Sequence, residues 1–325
     1  MIKPTNNDMP RLNWHGCVIM LMLLLLTSLT IYSQGIAVEK FEAAPKDLTA
    51  TLTGGLENVV AQNYPNQGGS DGIGGSSSAF DGNNKTFTVK GVTFTMVAVE
   101  GGTFMMGATS EQGRDAESDE KPVHQVTLSS YYIGQTEVTQ ALWEAVMGKN
   151  PSWFKGDNKP VENVSWYDCQ KFFKKLNKLT GKRFRLPTEA EWEYAYRGGN
   201  KSRGYKYSGS NTIDDVAWYT SNSSGETHPV ATKFPNELGI YDMSGNVHEW
   251  CQDWYGDYSS AAQTNPTGAS SSGPNWVNCR RNGPDRVNRG GSWWGYAKFC
   301  RSSSRGNSPY FRRSNILGLR LALSE

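Results

Sequence analysis

The sequence has few of the side chains on which most metal and redox sites depend. It contains four histidines and five cysteines, and no CxxC or HExxH spacing occurs in its 325 residues. Proteins commonly hold zinc with cysteines and histidines at such spacings, so a zinc site has little support. Lysine and arginine together number 33 against 31 acidic residues, and no long basic run is present. This charge balance argues against nucleic acid as a partner.

Long apolar runs are also scarce, and the one strong run, Val18 to Leu26, follows the basic residues Lys3 and Arg11. The run is too short for a membrane-spanning helix, which needs about 20 apolar residues. A basic leader, a short apolar core and a small residue at the expected cut predict a secretory signal peptide over residues 1–34. We therefore expect an exported protein, whether periplasmic, cell-surface or extracellular, with no transmembrane segment after cleavage.

Four cysteines remain beyond the predicted signal peptide: Cys169, Cys251, Cys279 and Cys300. An even number of cysteines in an exported protein favours disulfides over free thiols. Four cysteines allow three pairings, and their spacing alone does not choose among them.

Glycine and aromatic residues are abundant, with 35 Gly, 15 Tyr and 11 Trp. We interpret residues 35–86 as a weakly structured segment that ends in a Gly/Ser-rich linker. The folded domain is expected over residues 87–325. Near its start, Thr95 to Gly107 predicts two short strands around a Gly-Gly turn. The acidic stretch from Arg114 to Lys121 is interpreted as a solvated surface loop.

Three segments carry helical signals. Ser165 is a start cap for a run with helical apolar spacing that Gly181 closes. Thr188 and Glu191 form a capping box that opens a second helix. A third, weaker pattern covers Thr139 to Met147. The remainder shows no helical periodicity, so we predict an α+β domain with few helices, short strands and long ordered loops.

An ordered set of motifs carries a family resemblance. The motifs lie in Met96–Gly107, Thr136–Thr139, Pro160–Trp166, Arg185–Glu193, Gly239–Trp250, Arg286–Trp293 and Gly318–Leu321. Over Thr95 to Leu323 the chain resembles the formylglycine-generating enzyme, or sulfatase-modifying factor, family. The resemblance implies an elaborated C-type-lectin-like fold.

The resemblance also implies a catalytic region in which copper, held by two cysteines, helps to oxidise a sulfatase cysteine. The second cysteine matches Cys300, and Ser292 falls in the same region, but the first cysteine position is Gly295. Because Cu(I) prefers two thiolate ligands, we expect no working copper site. His248 is the one histidine in a matching motif that could replace the missing ligand.

A structural calcium ion is the second implied cofactor. The resemblance places side-chain ligands at Asp242 and Glu249 and carbonyl ligands at Gly245 and Val247, and hard oxygen donors of this kind suit Ca²⁺. The shared groove of the family fold further implies a Cys251–Cys300 disulfide, which leaves Cys169 to pair with Cys279.

The C-terminal segment is rich in residue types that binding surfaces favour. The expected ligand contacts are Trp294, Tyr296, Phe299, Tyr310, Phe311 and Arg313. The segment also resembles the variable C-terminal region of ligand-binding proteins that retroelements diversify on this fold. We therefore predict an exported, non-catalytic module that binds a protein or glycan ligand. The alternatives are a protein-modifying oxidase with altered metal ligands and a component of a cell-surface secretion or motility assembly.

Overall fold

The computed structural model describes residues 80–270 and 285–324. The predicted signal peptide, most of the predicted linker and Cys279 lie outside these residues. Within them the strands are short, the helices are few, and turns and loops make up most of residues 197–243. The α+β prediction is confirmed.

The strands build several small sheets rather than one large sheet. A five-stranded sheet has the order β1-β2-β5-β14-β6, a four-stranded sheet β12-β11-β9-β13, and a three-stranded sheet β10-β4-β3, while β7 pairs with β8. Their bounds are β1 (Lys85–Val89), β2 (Val92–Val99), β3 (Gly102–Met106), β4 (His124–Leu128), β5 (Tyr131–Gly134), β6 (Phe184–Arg185), β7 (Ala217–Trp218), β8 (Ser244–Gly245), β9 (His248–Trp254), β10 (Gln263–Thr264), β11 (Asp285–Arg289), β12 (Arg305–Pro309), β13 (Leu317–Gly318) and β14 (Ala322–Leu323).

One sequence expectation about strands needs adjustment. The two strands around the Gly-Gly turn exist, but β2 pairs with β1 and β5 while β3 pairs with β4, so they belong to different sheets. The turn leaves no room for a side chain at Gly101, because a Cβ there would lie 2.4 Å from the Leu128 carbonyl oxygen.

All three predicted helices are present as α1 (Gln140–Met147), α2 (Trp166–Thr180) and α3 (Glu189–Tyr196), and a short helix, α4, covers Ile213–Val216. Ser165 and Asp168 cap α2 reciprocally, and Gly181 ends it at a left-handed φ of 68°. Glycine adopts this conformation without a steric penalty. Of the predicted apolar stripe, Leu179 is the exception, since it is 50% exposed.

Helix α3 is buried along its whole length, including its three glutamates. A buried carboxylate is costly unless a cation and hydrogen bonds satisfy it. Each glutamate is therefore paired with an arginine from elsewhere in the chain. The pairs are Glu189 with Arg305 (2.7 Å), Glu191 with Arg185 (2.6 Å) and Glu193 with Arg289 (2.5 Å).

The acidic stretch from Arg114 to Lys121 is not simply a solvated loop, and that prediction is wrong for Glu120. Two short 3₁₀ helices, Ser110–Asp115 and Ser118–Glu120, include much of it. The Glu120 side chain is buried and accepts hydrogen bonds from the Arg301 guanidinium at 2.5 and 3.0 Å. Arg301 lies far from Glu120 in the sequence, so the local composition does not predict this ion pair, which stabilises the carboxylate in the interior.

None of the described helices is long and apolar enough to cross a membrane.

Candidate functional site: a cavity on the C-terminal sheet

The four-stranded sheet has two chemically different faces, because successive side chains of a strand point to opposite sides. One face packs on α3: Trp192 Nε1 donates to Glu249 Oε2 at 2.7 Å, and Val287 shares a buried cluster with Trp192. Strand alternation therefore places His248 of β9 and Asn288 of β11 on the opposite face.

A loop formed by residues 310–316 crosses the width of this sheet. It joins β12 to β13, which lie at the two edges of the order β12-β11-β9-β13. Backbone hydrogen bonds fix the loop in place along its length. They run from Trp166 N to Tyr310 O (3.0 Å), from Asn163 N to Ser314 O (2.9 Å) and from His248 N to Ile316 O (2.8 Å).

A cavity of ≈ 490 Å³ is lined jointly by the sheet and the crossing loop. Its wall includes His248, Asn288, Phe299, Ser308, Arg312 and Ser314. This volume is within the range of about 300–1,000 Å³ that small-molecule pockets usually have.

His248 is the most unusual group in this wall. Burial lowers its pKa to about 4, so the imidazole is neutral near pH 7. Its Nδ1 atom is buried and has no hydrogen-bond partner among the residues that the structure describes. A buried polar atom without a partner is uncommon in folded proteins, and it is a reason to look for a ligand at this position.

The predicted copper region lies beside the cavity and does not fit a two-thiolate site. Burial raises the pKa of Cys300 to about 12, against the opposing effect of the Ser292 and Gly245 backbone, so the group is a thiol near neutral pH. Gly295 supplies no ligand, although a Cβ there would meet only ordinary contacts at 3.4 Å from Ser292. The buried Ser292 Oγ has no hydrogen-bond partner within the described residues.

The expected disulfides are not formed. Cys169, Cys251 and Cys300 are free, buried thiols. Cys251 packs in the cluster around α3, whereas Cys300 packs with Tyr207 and Val216 in another cluster, and Cys169 belongs to a third. Because each thiol fills space in a different apolar cluster, the predicted Cys251–Cys300 bridge is wrong, and Cys169 is not bridged either.

The predicted calcium ligands lie in a buried acidic region with one arginine. Burial and then the neighbouring carboxylates hold the pKa of Glu137 well above its usual range, and burial raises the pKa of Asp242 to about 6. A cation would relieve this excess of negative charge. However, Arg320 already donates to both Glu249 oxygens, at 2.7, 3.0 and 3.1 Å.

The backbone of the same loop is also engaged in the fold. Gly245 lies opposite Trp218 in the β7–β8 pair, and Val247 N donates to Glu137 Oε1 at 3.0 Å. In the part of the chain that the structure describes, no three carboxylate, histidine or cysteine side chains converge as a metal site. The buried negative charge therefore favours a bound cation at this loop. The two Glu249 oxygens that such a cation would need already accept hydrogen bonds from Arg320.

Of the six predicted ligand contacts, Phe299 lines the cavity, and Trp294 and Tyr296 are 66% and 68% exposed. Tyr310 and Phe311 stack edge-on at 5.4 Å on the crossing loop, where Arg313 pairs with Asp168 at 2.7 Å. Sequence reasoning missed Asn288, Ser308 and Arg312. Strand alternation places Asn288 and Ser308 on the face of His248 once β9, β11 and β12 are known to be neighbours, whereas Arg312 lies on the crossing loop.

The model of the sulfatase-modifying factor enzyme 1-like domain matches residues 83–325, and the chain belongs to this family.

Among individual relatives, the chain is 37% identical to chaperone protein LppX of Paenibacillus barcinonensis over 236 residues, which cover 57% of this chain and 80% of LppX. It is 28% identical to the formylglycine-generating enzyme of Streptomyces coelicolor, with 70% of this chain and 88% of the enzyme covered. Among solved structures, Treponema denticola variable protein 1 is similar with a TM-score of 0.66 and 36% identity, over 74% of this chain and 99% of that protein.

Other matching proteins are longer than this domain. The chain spans only 33% of a serine/threonine-protein kinase, pkn1, of Chlamydia pneumoniae, to which it is 32% identical. The domain is thus found in proteins with different names and different additional parts.

Proposed function

We propose that this protein is an exported binding module of the sulfatase-modifying factor family that has no formylglycine-generating activity. The observation that carries the proposal is the state of the two copper-ligand positions. Gly295 has no side chain, and Cys300 is a fully buried thiol whose pKa is raised to about 12. Copper-dependent oxidation by this family's chemistry needs two thiolate ligands, and at these two positions this chain has only one cysteine.

Exposed aromatic side chains on the C-terminal segment support a binding role. Trp294, Tyr296 and Phe311 are 66%, 68% and 46% exposed. Rigid aromatic side chains that remain in solvent are typical of interaction surfaces. The likeness to Treponema denticola variable protein 1, at 36% identity, supports a binding role.

The test is a turnover assay with a sulfatase-type cysteine peptide, analysed by mass spectrometry with and without added copper. The Streptomyces coelicolor formylglycine-generating enzyme is the positive control. We expect no conversion by this protein. Conversion would establish the oxidase alternative, and His248→Ala would then show whether the histidine replaces the missing ligand.

The variant Gly295→Cys tests the ligand argument directly. The space around Gly295 admits a side chain, so the variant should fold with an unchanged melting temperature. We expect it to bind Cu(I) more tightly than the unchanged protein, as measured by competition with a chromogenic chelator. Equal copper affinity in the two proteins would show that ligand count at position 295 does not limit copper binding.

A further inference from the structure

The cavity between the four-stranded sheet and the crossing loop has a definite chemical character. Two of the arginines in its wall are already neutralised from the α3 side. Arg289 Nη2 pairs with Glu193 at 2.5 Å, and Arg305 binds both oxygens of Glu189 at 2.7 and 2.9 Å. These guanidinium groups therefore contribute little positive charge to a ligand in the cavity.

The remaining formal charges of the wall cancel, since Asp285 carries one negative charge and Arg312 one positive charge. The cavity thus lacks the concentrated charge that selects phosphate, sulfate or carboxylate ligands.

The other polar side chains of the wall are an imidazole, amides and hydroxyls, which suit hydrogen bonds to uncharged groups. They belong to His248, Asn288, Ser304, Asn307, Ser308 and Ser314. The Asn288 amide nitrogen meets Ser308 Oγ only at 3.4 Å, and His248 Nδ1 has no partner in the described residues. A ligand that satisfies this wall must present several uncharged groups that can donate and accept hydrogen bonds, and hydroxyl groups meet that requirement.

One further feature limits the kind of ligand. Phe299 and Leu317 add apolar surface to the same wall, which suits a ligand with C–H faces as well as hydroxyls. The wall also includes residues of β12 and β13, the edge strands of the sheet, so an extended peptide is the alternative ligand that the experiment must test.

We propose that this cavity binds an uncharged saccharide of one or two rings, with His248, Asn288 and Ser308 as hydrogen-bonding residues. This inference rests on the proposed binding function and specifies the ligand class. It requires no metal ion, because the groups that it uses are side chains of the wall.

The experiment is a binding screen on the full-length exported protein in the presence of EDTA. The probes are maltose, lactose and N,N′-diacetylchitobiose as neutral saccharides, a neutral glycan array, 3′-sialyllactose as an anionic saccharide, and a displayed peptide library. We expect a neutral saccharide to bind, with a dissociation constant then measured by calorimetry. Binding of only peptides or only anionic saccharides would overturn the proposal, and so would no binding at all.

Variants connect any binding to the cavity. His248→Leu and Asn288→Asp should each weaken the neutral saccharide by about tenfold or more, since a hydrogen bond to a buried partner is lost or a charge is introduced. If either variant fails to fold, Ser308→Ala removes only a hydroxyl. The matched control is Asn158→Asp, at an exposed position outside the cavity. Saccharide affinity that is unchanged in the cavity variants would refute the assignment.

The outcomes distinguish this inference from the function on which it rests. If a peptide binds and its affinity depends on Trp294 and Tyr296, the result would support the proposed binding function but contradict the saccharide proposal. Formylglycine turnover would overturn the non-catalytic function, whatever the cavity binds.

Discussion

The ion pair between Arg320 and Glu249 gives a quantitative prediction. Arg320 is completely buried, and its guanidinium makes three hydrogen bonds to Glu249 and two more to the carbonyl oxygens of Gly134 and Tyr241, both at 2.9 Å. The substitution Arg320→Met keeps similar volume but leaves a buried carboxylate in an acidic region. We expect a loss of about 3–5 kcal/mol in unfolding free energy, because the remaining charge has no cation.

Thermal unfolding followed by circular dichroism measures this effect. For a domain of this size, about 2–4 °C is lost per kcal/mol, so the melting temperature should fall by roughly 6–20 °C. The matched control is Arg313→Met, since Arg313 also binds a carboxylate through two nitrogens, at 2.7 and 3.0 Å, but has a side chain that is 54% exposed. Exposed pairs contribute less than about 1 kcal/mol, so the control should change little.

A double substitution separates charge from packing. Glu249→Gln combined with Arg320→Met removes the unpaired carboxylate, so it should be less destabilised than Arg320→Met alone. Equal effects of the Arg320 and Arg313 substitutions would refute the argument that burial sets the cost.

Two further predictions concern ionisation and calcium. Burial raises the pKa of Glu162 from 4.5 to about 7, so its contribution to stability is fully present below pH 4.5 and is lost as pH rises through 7. Glu162→Gln should therefore gain in urea-measured stability relative to the unchanged protein between pH 5 and 8, and a difference that stays constant with pH would contradict this. Calcium binding at the loop of Asp242 stays a prediction: calcium should raise the melting temperature, EDTA should lower it, and Asp242→Ala should abolish the difference. If EDTA does not change the melting temperature, the calcium prediction is wrong, and Arg320 is the main cation of this region.

Local signals in the sequence were sufficient for the helices. The Ser165–Asp168 and Thr188–Glu191 capping boxes and the end at Gly181 depend on residues within a few positions of one another, and all three are present in the structure. The motifs that carry the family resemblance could also be identified without a structure, since their order along the chain is a property of the sequence.

Contacts between residues that are far apart in the sequence could not be predicted from it. The interpretation of Glu120 as solvated failed because Arg301, far away in sequence, encloses it. The Cys251–Cys300 disulfide that the family resemblance implied failed for a related reason: the motifs do not show that the two cysteines pack into separate apolar clusters.

The sequence by itself determined the family, the capped helices, the glycine at position 295 and the richness of the C-terminal segment in aromatic residues. Only the tertiary structure decided which polar groups share a cavity. His248 and Asn288 become neighbours because β9 pairs with β11 and because side chains alternate across the sheet. Strand pairing is a long-range choice that depends on the packing of the whole domain, so no local pattern in the sequence could have brought these residues together.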